Sequence, residues 1–214
     1  MRTELRILAT RLWVRHAWQA SGDTKIDAFI DRFDAYASPQ SGDGLKRTLL
    51  SEWRRGKRYV SETWVNRFEQ AIPGTKWVHA VGTLLTPNRL SANAARGTVS
   101  PFFVTEPNNE RRWIMLYDGA PSPTEWEDSA ALALRGDFFG FIAILALVRE
   151  AFACLDYDRL CQHLAALYAL LPSIARIDWV RPDVGLLIQC IESMMAKDIY
   201  WLPARVEIDW QEFS

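Results

Sequence analysis

Apolar residues recur at helical spacing through the first part of the chain. Leu5, Leu8 and Leu12 stand at i, i+3 and i+7 and predict a helix over 3–20, stopped by Ser21-Gly22. Asp23 or Thr24 is placed to cap a second helix, whose apolar face is Ile26, Phe29, Ile30 and Phe33. Residues 38–44, Ser-Pro-Gln-Ser-Gly-Asp-Gly, read as a loop. The helical pattern resumes from Leu45 to Arg55 and breaks at Gly56. It returns from Ser61 to Ala71, with Trp64, Val65, Phe68 and Ile72 turned inward. Pro73-Gly74 closes that helix, and Thr75 begins a short one through Leu85.

The pattern changes over 86–121. Pro87, Pro101, Pro107, Pro121, Gly97 and Gly119 interrupt any long helix, and Val99 to Val104 and Arg112 to Tyr117 predict short strands. Beyond it, Ser122-Pro123-Thr124-Glu125 has the order of a helix start: cap, proline, then acid. Asp137 opens an apolar helix over 138–152. Asp156 or Asp158 opens 158–171, with Leu160, Leu164, Leu167, Tyr168 and Leu171 on one face, and Asp183 opens 184–198. A tail with Trp201 and Trp210 follows. The expectation is a mainly α protein: a helical module over 1–85, a linker or ordered loop region over 86–121, and a helical bundle over 122–214.

Composition narrows the class. The chain has 214 residues, 49% hydrophobic and 24% charged, which is globular and not disordered. Cys154, Cys161 and Cys190 make an odd, sparse set, read as reduced thiols and not as a disulfide framework. The longest apolar run, Phe138 to Val148, falls short of the roughly 20 residues that span a bilayer. With charges scattered through the first residues, neither a signal peptide nor membrane association is expected, and the expected location is cytoplasmic. The net charge of −1 is unevenly spread. Residues 1–80 hold fourteen Lys or Arg against nine Asp or Glu, and the rest of the chain holds the acidic excess.

Much of that basic excess is concentrated in one segment, Gly44-Leu-Lys-Arg-Thr-Leu-Leu-Ser-Glu-Trp53-Arg-Arg-Gly56-Lys-Arg58. On a helix, Leu45, Leu49, Leu50 and Trp53 form an inward stripe. Lys46, Arg47, Ser51, Arg54 and Arg55 are left outward, where cations meet phosphates or guanine edges and hydroxyls reach the backbone. Gly44 followed by Trp53-Arg54-Arg55-Gly56-Lys57-Arg58, and then by Ser61-Glu62-Thr63-Trp64, resembles the phage-repressor (Cro-like, XRE-type) helix-turn-helix proteins over residues 24–85. The resemblance implies that Lys46, Arg47, Thr48 and Ser51 lie on a recognition helix near 45–55. It implies that Arg54, Arg55, Lys57 and Arg58 bind flanking phosphates. Val60 stands where that family has proline, and residues 38–43 are loop-like where its second helix belongs. The plainer reading is a solvated basic helix face beside a core tryptophan.

No catalytic chemistry is expected. His163 lies two residues from Cys161, a spacing that points the side chains apart on a helix, so no metal site is read there. The acids at Glu125, Glu127, Asp128, Asp156 and Asp158 sit at expected helix starts, where they favour the dipole. Neither a P-loop nor a dinucleotide fingerprint is present, and no cofactor is expected. The functional expectation is a DNA-binding protein, a transcriptional regulator by resemblance. It would bind double-stranded DNA, with RNA as the alternative, and its C-terminal helices would form a homodimer or hold a protein partner. The alternative is a non-catalytic helical adaptor or a subunit of a larger nucleoprotein assembly.

Overall fold

The computed structural model describes residues 2–34, 44–87, 90–100, 103–105, 111–113, 124–125 and 128–198, and the chain is mainly α-helical. The first half builds α1 (Arg2–Ser21), α2 (Ile26–Asp34), α3 (Arg47–Arg54), α4 (Glu62–Ala71), α5 (Lys76–His79), α6 (Val81–Leu84) and α7 (Ala92–Val99). Three short strands follow: β1 (Phe103–Thr105), β2 (Arg111–Trp113) and β3 (Thr124–Glu125). They pair antiparallel in the order β1-β2-β3, with Phe103 opposite Trp113 and Arg112 opposite Glu125. The second half is α8 (Ser129–Leu134), α9 (Phe138–Ala153), α10 (Tyr157–Arg176) and α11 (Val184–Asp198). The expected loop at 38–43 and the tail with Trp201 and Trp210 lie outside the described residues.

Local capping chemistry sets most of the boundaries. Asp128, Asp137 and Asp156 each accept the backbone N–H three residues on, from Ala131, Gly140 and Arg159, and so start α8, α9 and α10. The expected helix start at Ser122-Pro123-Thr124-Glu125 is corrected: Thr124 and Glu125 pair as β3, and the helix waits for the Asp128 cap. The strand expected over Val99 to Val104 is also shifted. Val99 ends α7, a helix capped by Ser91, and pairing begins at Phe103. The single helix expected over 75–85 is two short ones, broken at Ala80. Helix α10 runs past Pro172, because Leu170, Leu171 and Ile174 on either side of it are buried in the core.

Two helices organise the interior. Leu5, Leu8, Ala9, Leu12, Trp13, Val14 and Ala17 are all buried, so α1 is enclosed on more than one stripe by α3, α5, α6 and α11. In α9 every residue from Phe138 to Arg149 is buried, surrounded by α5, α6, α7, α8 and α10. Each large apolar side chain so placed contributes about 1.5–3 kcal/mol relative to exposure. One hydrophobic cluster takes residues from both 1–85 and 128–198. Trp77 packs on Phe138 and Phe139 at 5.9 Å, and His16 lies between Trp77 at 5.2 Å and Trp179 at 4.9 Å. Asp183, buried in the turn before α11, receives Arg11 at 2.7 Å and Arg15 at 2.5 Å from α1. That carboxylate therefore joins the first helix to the last, where the sequence suggested a helix cap. Among the described residues, no single helix is long and apolar enough to cross a bilayer.

Candidate nucleic-acid interface

Helix α3 is held from three sides. The Asp34 carboxylate at the end of α2 accepts the Leu45 N–H at 2.9 Å, just ahead of α3. Leu50 and Trp53 are buried, Trp53 meeting Trp13 at 6.0 Å and Phe68 at 6.3 Å, both edge-to-face. The end of α3 is a Schellman turn: Gly56 N–H donates to the Trp53 carbonyl at 3.1 Å and Lys57 N–H to that of Glu52 at 2.9 Å. Gly56 sits at φ +69°, and a Cβ there would come within 2.6 Å of Ile7 Cγ2 on α1. The Trp-Arg-Arg-Gly pattern therefore has a local cause. Tryptophan anchors the helix in the core, and glycine supplies the left-handed residue that ends it against α1.

Beyond the turn, Val60 N–H donates to the buried Thr10 hydroxyl of α1 at 3.0 Å. The segment 54–58 is thus pinned at both ends and carries its cations on the outside. Lys46, Arg47, Thr48, Arg54, Arg55, Lys57 and Arg58 are exposed, and Ser51 is half-buried. Three of them have local partners. Arg47 makes a two-pronged contact with Asp27 of α2, at 3.1 and 2.5 Å, which raises its pKa. Arg54 lies over the Trp18 ring at 5.3 Å, and Arg58 is 3.8 Å from Glu52. Lys46, Arg55 and Lys57 have no ion-pair partner among the described residues.

Seven of the eight sequence-selected residues lie on α3 and its terminal turn; Lys46, expected on the helix, is instead the extended residue just ahead of it. Helix α3 has eight residues and is about 12 Å long. Residues 44–46 lead into α3 without helical structure, and residues 55–61 separate α3 from α4. Helix-turn-helix motifs use a turn of three or four. Next to this face lies a cleft of about 940 Å³ that pattern reading missed. Arg6, Lys57, Tyr59, Trp64 and His79 line it, drawn from α1, the α3–α4 turn, α4 and α5. Tyr59, beside the basic run, was the available sequence signal; Arg6 and His79 are too distant along the chain to be grouped without the fold. The Arg6 guanidinium stacks over the Tyr59 ring at 4.3 Å. Burial holds the His79 imidazole pKa down at about 4. Glu62 opposes that shift, and Arg6 and Lys76 add to it, so the ring is neutral at pH 7.

Among the described residues no group of histidine, cysteine and carboxylate side chains could hold a metal ion. Cys154 and Cys161 are exposed free thiols, and Cys190 is buried, where desolvation pushes its pKa up to about 11. Compared with protein-family models, curated proteins and solved structures, the chain matches none.

Proposed function

We propose that this is a DNA-binding protein, acting as a transcriptional regulator, that meets the phosphate backbone with α3 and the turn that ends it. The observation that carries this reading is the run Arg54, Arg55, Lys57 and Arg58: four exposed cations within five residues, on a turn anchored by Trp53, Gly56 and Val60. A rigid mount lowers the entropy lost when such side chains meet phosphates. Lys46, Thr48 and Ser51 extend the polar face along α3 and would reach a groove edge or the sugar–phosphate chain. The C-terminal helices would then serve dimerisation, because two half-sites need two recognition elements.

The adaptor reading is favoured by a different observation. Arg47 is already engaged by Asp27, and Leu134 is 89% exposed at the end of α8, with Leu155 and Tyr157 exposed at the α9–α10 turn. On that reading the basic turn contacts an acidic protein. Fluorescence anisotropy with random-sequence duplex DNA separates the two. The regulator binds duplex, and Arg54→Glu with Arg55→Glu abolishes binding while the far-ultraviolet circular dichroism stays unchanged. Absence of duplex binding by the wild-type protein at low salt would leave the adaptor.

A further inference from the structure

We propose that the cleft between α1, the α3–α4 turn and α6 binds a nucleotide, with its phosphate on the cationic rim and its base against the aromatic wall. This goes beyond the DNA-backbone reading, with which it shares the cations Lys57 and Arg58. Three observations point to this ligand class. The rim is cationic: Arg6, Lys57 and Arg58 face Glu62, the one acid among the described residues lining the cleft. The volume, about 940 Å³, is near the top of the range for small-molecule sites and far exceeds what a bare phosphate fills. The walls are flat and aromatic. Tyr59 is 47% exposed with the Arg6 plane stacked on it, and Trp64 is backed edge-to-face by Trp53 at 5.6 Å. Stacked rings and guanidinium planes hold a base of any identity by its face.

The remaining lining groups suit a base or sugar edge. His79 presents a neutral imidazole, which both donates and accepts, and Thr83 on α6 presents an exposed hydroxyl. Neither would recognise a second anion as well as the rim does. A divalent metal is not called for, because the lining holds cations and one carboxylate. The same chemistry could arrive as a free nucleotide or as the unpaired terminal nucleotide of a nucleic-acid strand.

The test is a calorimetric titration of the full chain with adenosine monophosphate, alongside adenosine and inorganic phosphate. Saturable binding of the monophosphate is expected, at least about tenfold tighter than either fragment. Tyr59→Ala removes the stacking surface from an exposed position. Thr83→Trp fills the cleft from the exposed side of α6. Each should weaken the monophosphate by about tenfold or more. Arg54→Glu with Arg55→Glu reverses charge beside the rim but removes none of the lining groups. It should weaken the monophosphate by only about threefold, against the loss of duplex binding, so failure of the DNA reading is distinguishable from failure here. A duplex with a one-nucleotide overhang, competed by the free monophosphate and preferred over blunt duplex, would identify the strand end as the source; equal binding of the two duplexes would identify the free nucleotide. No saturable binding of the monophosphate, equal binding of inorganic phosphate, or unchanged affinity in both Tyr59→Ala and Thr83→Trp would overturn the proposal.

Discussion

Leu155 is the one non-glycine residue with positive φ among the described residues, at +59°. It occupies the terminal turn of α9, where Leu155 N–H donates to the Phe152 carbonyl and Asp156 N–H to that of Ala151, the same Schellman arrangement that ends α3. At α3 the left-handed place is taken by Gly56; at α9 a leucine bears the strain. Two opposite outcomes follow. Leu155→Gly relieves the left-handed strain at a half-exposed site and should stabilise the protein by about 0.5–1 kcal/mol, seen as a higher Tm. Gly56→Ala introduces that strain and drives a Cβ to within 2.6 Å of Ile7, so urea unfolding should show a loss of about 2 kcal/mol or more. An unchanged Gly56→Ala variant would mean that Gly56 is not needed to end α3 against α1.

At the level of elements, the sequence announced helices wherever an aspartate preceded an apolar run. Asp137 and Asp156 behave as such caps, because a carboxylate there satisfies an otherwise unpaired N–H. Where a well-formed start preceded the real one, pattern pointed to the wrong residue, Ser122. Ser122 and Asp128 both qualify by composition, and strand pairing at Thr124–Glu125 leaves Asp128 to start α8. Helix α7 was hidden for the opposite reason. Asn93 and Gly97 weaken its intrinsic propensity, and its stability comes from burial of Ala95 and Val99 beside α9. The inward stripe of α3 was legible: Leu45, Leu50 and Trp53 are buried, and Leu49 is half-buried against the same core. The partners of its outward cations were not, because Asp27 and Trp18 lie on other elements. The cleft beside it depends wholly on how α1 and α5 meet the α3–α4 turn, which no local pattern records.

Across the whole molecule, the basic first half and the later helices share one core. A charged pin at Asp183 crosses between them. Asp183→Ala would leave Arg11 and Arg15 without their carboxylate in a largely buried setting. A loss of about 3 kcal/mol is expected in chemical denaturation. It should come in a single transition that moves α1 and α11 together, and separate transitions would contradict a shared core. That rigidity also matters for the basic turn, which is mounted on α1 through Gly56 and Val60 and so moves with the whole protein. The most direct measurement of the central claim is the salt dependence of duplex DNA binding. Contact through Lys46, Arg54, Arg55, Lys57 and Arg58 predicts that log K falls against log salt with a slope of about −4 to −5, reduced by about 2 in the Arg54→Glu, Arg55→Glu variant if residual binding remains. A wild-type slope near zero, or a slope the charge reversal leaves untouched, would contradict it.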